Sequence, residues 1–354
     1  MNQINQTMIS IEGVKKATDF KAVLIADLHL HHLPLWRADW NDLFIDRLLK
    51  LQTEVQLPLF LLGDVFEVKD QIKSRIINQF LRLIGEWKHD IVWVTGQHDS
   101  YIPGRASLEG LRGWSNMTIV DATEFYSQKY DLWFIPFARK VEDYHSMLEK
   151  VPANAFVLTH MPIKEALEQF TKDEKMVSSE HFKHLSGAIS GDIHKFQQYG
   201  NFHYIGAPSQ RDWRDEGVDG KIAILLKDNK FIRLDTECPT HKKVTSMASI
   251  RRIGLAIAGD TSKYVVKVVS NEIAPEQIAI LKQRPNILDV VWEPTIETVA
   301  LTELEQEVHK IDTDDEVLSM YLDNTEKLPA GVKKNELLDA GLALLNTNAF
   351  EEED

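Results

Sequence analysis

Short, wholly apolar runs alternate with amphipathic segments through the N-terminal third of the chain. The runs Ala22–Ala26, Leu59–Leu62 and Ile91–Thr95 are followed by glycine or acidic residues, which predicts short buried strands. Between them, apolar residues recur every three or four positions over Trp40–Val55 and Ile72–Trp87, a pattern typical of helices that bury one face. Strands that alternate with helices predict parallel βαβ units, with the helices on the faces of the sheet.

The pattern becomes richer in strands in the middle of the chain. Further short strands are predicted at Leu132–Phe137, Ala155–Thr159, Gly187–Ser190, His203–Ile205, Lys221–Leu226 and Phe231–Leu234. Because so many strands would crowd a single sheet, we expect an α/β fold with two packed sheets.

The last third of the chain predicts smaller units. The periodic spacing of apolar residues weakens over Thr236–Ser249, which we expect to be a linker. A strand, a helix and a strand are predicted at Tyr264–Val269, Pro275–Lys282 and Ile287–Trp292, followed by helices at Glu303–Tyr321 and Lys333–Leu345. We therefore expect a main domain over residues 1–238, a small α/β capping module over 250–298 and a helical tail over 301–354.

Charge is distributed unevenly, and cysteine is scarce. Of 54 acidic and 40 basic residues, 15 acidic and 4 basic ones lie in Leu301–Asp354, so the chain before this tail has a net charge of only −3. A broadly basic DNA-coating protein is therefore excluded, whereas a local basic groove is not. The single cysteine, Cys238, excludes an internal disulfide, and no apolar run suits a signal peptide or a membrane span, so we expect a cytoplasmic location.

Metal-binding residue types follow five of the predicted strands. The segments are Asp27-Leu28-His29, Gly63-Asp64, Gly96-Gln97-His98-Asp99, Thr159-His160 and Gly191-Asp192-Ile193-His194. In open α/β sheets, ligands bind outside the carboxyl ends of strands, so we expect these side chains to meet. Carboxylates and imidazoles bind Mn, Fe or Zn, and a carboxylate such as Asp64 can bridge two ions. Two ions held close together catalyse phosphoryl transfer, which makes a metal-dependent phosphoesterase the leading hypothesis.

The ordered motifs D-x-H, G-D, G-Q-H-D, H and G-D-x-H closely resemble those of the calcineurin-like metallophosphoesterases over Lys21–Lys195. The resemblance implies a four-layer α/β/β/α sandwich. It also implies that one metal is held by Asp27, His29, Asp64 and His194, and the other by Asp64, Gln97, His160 and Asp192. His98 would act on the leaving oxygen without binding a metal, and Asp99 would orient its ring.

Two positions depart from that family's pattern, and both belong to the second metal. Gln97 stands where the family has asparagine, and Asp192 stands where it has histidine. Gln97 retains a carbonyl ligand, while the carboxylate of Asp192 is a harder ligand than imidazole. We expect the pair to favour Mn or Mg over softer metals, or to weaken occupancy of the second site.

The segment Tyr204–Glu216 resembles a block of the SbcD-type DNA nucleases. The nearest likeness within that type is to the smaller recombination endonuclease subunits of T-even-like phages, where an acidic residue such as Glu67 follows the G-D motif. The resemblance implies a Mn-dependent DNA exonuclease and endonuclease that acts in recombination, repair and replication. It also implies a homodimer that works with an SbcC-type SMC-like ATPase. If the gene belongs to a phage, the protein would act in the host cytoplasm. His31, Arg211 and Trp213 are candidate DNA contacts, although His31 is more simply a loop residue near the site and Trp213 could be a core residue. The stripe Leu337, Leu338, Leu342 and Leu345 could pack on this chain's own domain, but a two-helix tail buries little alone, so we favour an ATPase-binding surface.

Two other functions remain open from the sequence. The segments Ala26–Leu30 and Gly63–Glu67 also resemble the pyrophosphohydrolases that cleave UDP-diacylglucosamine, but those enzymes carry an arginine where this chain has His98 and lack the Tyr204–Glu216 block. The departures at Gln97 and Asp192 also fit a catalytically weak scaffold that binds DNA or regulates the ATPase.

Overall fold

The structure, a computed structural model, describes residues 19–69, 71–102, 104–167, 177–215, 217–246, 248–250, 263–270, 273 and 275–293. The strands are β1 (Phe20–Ile25), β2 (Leu59–Leu62), β3 (Ile91–Val94), β4 (Ser100–Ile102), β5 (Arg105–Ala106), β6 (Met117–Val120), β7 (Phe125–Ser127), β8 (Leu132–Ile135), β9 (Phe156–His160), β10 (Gly187–Gly191), β11 (Gln197–Tyr199), β12 (Phe202–Tyr204), β13 (Lys221–Leu226), β14 (Phe231–Asp235), β15 (Thr240–Val244), β16 (Tyr264–Val269) and β17 (Ile287–Glu293). The helices are α1 (Leu35–Val55), α2 (Ser74–Glu86), α3 (Val141–Leu148), α4 (Lys164–Leu167) and α5 (Pro275–Lys282).

Two six-stranded sheets form the centre of the fold. The first has the order β14-β13-β1-β2-β3-β6, and the second has the order β11-β12-β10-β9-β8-β7. Strands β1, β2, β3 and β6 are mutually parallel, as are β8, β9, β10 and β12. The prediction of an α/β fold with two sheets is therefore confirmed.

Three apolar layers explain why the central strands are uniformly hydrophobic. One side of β1 presents Val23 and Ile25 to α1 and α2, while the other side presents Ala22 and Leu24 to the second sheet. The outer face of the second sheet packs against α3 through residues such as Val157. Because both sheets are covered on both faces, their strands are continuous apolar runs instead of alternating ones. The resulting layers are helices, sheet, sheet and helices.

A smaller, three-stranded sheet follows the two central sheets along the chain and has the order β15-β16-β17. All three strands are parallel, and α5 packs on the sheet through Ile278 and Leu281. The linker predicted over Thr236–Ser249 is wrong, because Thr240–Val244 is a strand of this sheet. His241 and Val244 are buried while Lys242 and Lys243 are exposed, so the paired lysines belong to a partly covered strand and not to a loop.

The predicted helices of residues 301–354 lie outside the described residues. None of the described helices is long and apolar enough to cross a membrane.

Candidate metal centre

The carboxyl ends of strands from both sheets meet at one edge of the main domain. Asp27 and His29 follow β1, and Asp64 follows β2. From the second sheet, His160 ends β9, while Asp192 and His194 follow β10. Asp192 N donates a hydrogen bond of 2.9 Å to Asp27 Oδ1, which joins the two sheets directly at this edge. Asp27, His29, Asp64 and His160 are buried, so the ligands expected from the first sheet and from β9 lie beneath the surface.

Asp27, His29 and His194 form the first group able to hold a cation. The Nε2 atoms of His29 and His194 are 3.1 Å apart. Two imidazole nitrogens bound side by side to one metal, with bonds of about 2.1 Å, would be separated by a similar distance. The spacing therefore suits two ligands of a single ion.

Asp215, which the sequence analysis missed as a site residue, determines which nitrogen of His194 faces this group. Its carboxylate oxygens lie 2.8 and 2.9 Å from His194 Nδ1, so Nδ1 donates and Nε2 keeps its lone pair. Asp215 Oδ2 also accepts a hydrogen bond of 2.7 Å from Arg211 N. Asp215 lies within the Tyr204–Glu216 block, but nothing in its spacing indicates this role, which depends on how the loop after β12 folds back.

His160 is the centre of a second group, with Asp64 and Asp27. Its Nδ1 donates to Leu62 O at 2.8 Å, which leaves Nε2 as the ligand atom. That Nε2 lies 3.6 Å from Asp64 Oδ1 and 3.6 Å from Asp192 Oδ1. Asp64 also belongs to a third group, with His29 and His98, so its carboxylate is shared between neighbouring sites.

Unpaired buried atoms show that these residues fit a cation. Within the described part of the chain, Asp27 Oδ2 and His160 Nε2 are buried without a hydrogen-bond partner. Burial raises the pKa of Asp27 to about 7 and lowers the pKa of His29 to about 4. The neutral imidazole of His29 is the form that binds metals, and a divalent cation would compensate the buried carboxylate of Asp27.

The backbone at the ligands is strained. Asp27, His29, Asp64 and Asp192 have positive φ values of 52°, 43°, 50° and 90°. A left-handed conformation costs a non-glycine residue roughly 1–2 kcal/mol, and such strain clusters at functional sites. Gly96 lies too close to Asp64 for any side chain, because a Cβ on it would be 2.1 Å from Asp64 Oδ1. The chain therefore turns sharply at these four candidate ligands and leaves room only for glycine beside Asp64.

The environment of His98 differs from the one expected. The family resemblance implies that Asp99 orients the ring of His98, but His98 Nδ1 instead lies 2.8 Å from the carbonyl oxygen of Glu67. The Asp99 carboxylate is buried and accepts hydrogen bonds from Val65 N, Phe66 N, Gly96 N and Trp93 Nε1. Asp99 therefore fixes the loops that carry Asp64 and His98 and does not touch the ring. With Nδ1 occupied, His98 Nε2 is the atom available to the centre.

Glu67 lies between the centre and two arginines. Its Oε2 is 3.3 Å from His29 Nδ1, and its carboxylate is 3.7 Å from Arg37 Nη2 and 3.4 Å from Arg211 Nη1. Although burial raises the pKa of Glu67, His29, Arg211 and Arg37 outweigh it and hold that pKa at about 2. Buried Arg37 also donates to the carbonyl oxygen of His29 at 2.9 Å. Glu67, Arg37 and Arg211 therefore support His29 from outside the ligand groups.

The remaining candidate residues lie in different surroundings. Gln97 is exposed and lines a cavity beside the centre. His31 is half-buried, and its Nδ1 lies 2.6 Å from Leu33 O in its own loop. Trp213 packs edge-on against His241 of β15, with ring centroids 4.7 Å apart, so its ring contacts the small sheet. Leu337, Leu338, Leu342 and Leu345 lie outside the described residues, as does Glu216.

Comparison with known proteins adds little to this geometry. No protein-family model matches the chain, and no curated protein sequence matches it. Among solved structures, the chain is similar to a dimetal phosphatase from Danio rerio, with 12% sequence identity over 61% of this chain and 99% of that chain and a TM-score of 0.32. A TM-score this low carries no argument about chemistry, so the function is inferred from the residues of the centre.

Proposed function

We propose that this protein is a two-metal phosphodiesterase that cleaves DNA, with Mn²⁺ as the preferred ion. The observation that carries the proposal is that imidazole and carboxylate atoms from both sheets lie close together. The Nδ1 atoms of His160 and His194 are hydrogen-bonded to Leu62 O and Asp215, which leaves both Nε2 atoms to bind an ion. Asp27, His29, Asp64 and His194 would hold one ion, and Asp64, His160 and Asp192 would hold the other. The ions, when bound, would activate water and neutralise charge on the phosphoryl oxygens.

The chain itself would supply a proton carrier. His98 N donates to Asp64 Oδ1 at 2.8 Å, and His98 Nδ1 is fixed by Glu67 O, so the ring position is set on two sides. The half-buried ring keeps Nε2 for a proton that is passed to the leaving oxygen. General acid catalysis of this kind typically contributes about 10²–10⁴-fold to rate.

The Tyr204–Glu216 block supports DNA as the substrate, because it resembles a block of the SbcD-type DNA nucleases and three of its residues contact segments that carry the centre. Buried Tyr204 Oη accepts from Ile163 N at 2.9 Å and donates to Met161 O at 2.9 Å, which fixes the loop after His160. Asp215 supports His194, and the guanidinium of Arg211 lies beside the centre. Arg211 is the residue of this block suited to bind a phosphate of the substrate.

The experiment compares two substrates during a Mn²⁺ titration. We expect the full chain to hydrolyse bis(4-nitrophenyl) phosphate and to degrade linear duplex DNA, with both activities removed by Asp64→Asn. Hydrolysis of the small diester without DNA cleavage would contradict the substrate assignment and favour another phosphoesterase. DNA binding without hydrolysis of either substrate would favour the catalytically weak scaffold.

We also propose an SbcC-type ATPase as partner, bound by the helical tail. The net charge of −11 over residues 301–354 would repel DNA, whereas the Leu337, Leu338, Leu342 and Leu345 stripe suits a helix-in-groove contact. A chain without residues 301–354 should lose the ATPase in a pull-down but retain hydrolysis of the small diester. Removal of Glu351–Asp354 alone is the control, and undiminished binding by the longer truncation would place the partner surface elsewhere.

A further inference from the structure

A cavity of about 610 Å³ opens beside the candidate metal centre. Its lining comes from the segments that follow β3, β6 and β8, together with α3 and the β4–β5 hairpin. These strand ends belong to both sheets and lie at the same edge as the metal-binding residues. The lining includes Gln97, Phe137, Arg139, Lys140 and Asp143.

Two walls of the cavity are continuous with the centre. Gln97 directly precedes His98, whose backbone N is bonded to Asp64. On the other wall, Phe137 N donates to Thr95 O at 2.9 Å, which joins the loop after β8 to the loop after β3. The Phe137 ring lies 6.3 Å from the His160 ring, measured between centroids. A ligand bound in the cavity would therefore extend directly from a group held at the centre.

The charged residues of the cavity are not equivalent. Lys150 is paired with Glu124 at 2.9 Å, and Asp121 accepts from Arg112 and from Ala106 N. Arg139 and Lys140 are exposed, and no ion pair involves either of them within the described ranges. Asp143, on the first turn of α3, is an exposed carboxylate in the same lining. The cavity thus offers two available cations opposed by one anion.

We propose that this cavity binds one nucleotide of a single DNA strand next to the scissile phosphodiester, with the neighbouring phosphate held by Arg139 and Lys140. This inference rests on the proposed function and specifies where its substrate lies. Cavities of roughly 300–1,000 Å³ accommodate small ligands, so the space suits a nucleotide and not a duplex.

Binding of a short fluorescein-labelled oligothymidylate to the full chain, followed by fluorescence polarisation, tests the inference without requiring catalysis. The double variant Arg139→Ala/Lys140→Ala should weaken binding roughly ten-fold or more and lower the slope of log affinity against log salt by about one for each phosphate contact removed. Asp143→Asn should instead tighten binding, because it removes the opposing charge. Arg139→Lys/Lys140→Arg retains both charges and should recover most of the affinity.

Lys230→Ala provides the matched control. Lys230 is an exposed lysine in the turn after β13, and β13 runs antiparallel to β1 with Leu226 opposite Phe20. That turn therefore lies at the opposite end of the strands from the metal-binding residues, and this variant should bind like the wild type. Unchanged affinity and salt slope in Arg139→Ala/Lys140→Ala would overturn the inference, as would weaker binding by Asp143→Asn.

The hydrolysis of bis(4-nitrophenyl) phosphate separates this inference from the proposed function. If the variants bind oligothymidylate as expected while the wild type fails to hydrolyse the small diester in Mn²⁺, the cavity stands and the catalytic proposal fails. If the wild type is active and the variants bind normally, the cavity assignment alone is wrong.

Discussion

Replacement of Asp215 by asparagine tests whether His194 is a metal ligand. In the wild type, the carboxylate accepts from His194 Nδ1 and from Arg211 N. In Asp215→Asn, the amide oxygen can still accept from Arg211 N, which places the amide NH₂ opposite His194 Nδ1. An NH₂ group there removes the acceptor 2.8 Å from Nδ1 and leaves only the amide oxygen, at 2.9 Å and shared with Arg211 N. It favours the tautomer in which Nδ1 accepts and Nε2 carries the proton, and that proton blocks the atom that faces His29.

The expected loss is a 10–100-fold weaker affinity for Mn²⁺, or about 1.4–2.7 kcal/mol, the range typical of residues that orient metal-binding histidines. Titration calorimetry of the metal-free protein measures this loss directly, and thermal unfolding monitors whether the fold survives. Asp212→Asn is the matched control, since Asp212 lies in the same loop but pairs with Arg214 and Arg211 and not with His194.

Two outcomes would refute the reasoning. Wild-type Mn²⁺ affinity in Asp215→Asn would mean that the tautomer of His194 does not matter and that His194 is not a ligand. An equal loss in Asp212→Asn would show that the effect comes from the loop as a whole and not from the hydrogen bond to His194.

Three further predictions concern the ligands and their surroundings. Asp64→Asn should abolish hydrolysis of bis(4-nitrophenyl) phosphate, since the carboxylate of Asp64 belongs to two ligand groups, and near-wild-type turnover would contradict a shared carboxylate. Gly96→Ala should weaken Mn²⁺ binding in calorimetry, because its Cβ would displace Asp64, whereas Gly110→Ala, with open space around it, should not; equal affinities would argue against the crowding. Removal of metal by a chelator should lower the melting temperature by ~5–10 °C relative to protein in Mn²⁺ at a concentration of about one hundred times its Kd. An unchanged melting curve would mean that no ion binds the folded state.

The fold was largely predictable because its strands are buried on both faces. Runs such as Leu59–Leu62 and Lys221–Leu226 contain almost only apolar residues, and their predicted bounds match β2 and β13. Strand β15 was missed because two adjacent residues, Lys242 and Lys243, are exposed, so its sequence has no apolar run or regular alternation and resembles a linker. Short edge strands such as β7 and β11 likewise bury too few residues to produce a clear pattern.

The candidate site was predictable in its residue types but not in all of its roles. Ligands that end strands are placed by topology, which the βαβ pattern indicates in advance. The roles of Asp99 and Asp215 depend instead on which loop donors reach their carboxylates, and no sequence spacing specifies that. The side chain of Gln97 lines the cavity although its neighbour His98 faces the centre, a distinction that arises from the turn after β3.

The hydrogen bond from His160 Nδ1 to Leu62 O has a consequence for how the metal preference of this protein can change. It links the end of β9 to the end of β2, so two candidate ligands, His160 and Asp64, are positioned by different sheets. The distance between the sheets is determined by buried residues such as Ala22 and Ala223 in the layer between them. A larger side chain at either alanine would change the spacing of the sheets without altering a candidate ligand. Selectivity for a smaller or larger ion is therefore accessible to substitutions in the hydrophobic interior, remote from every group that binds it.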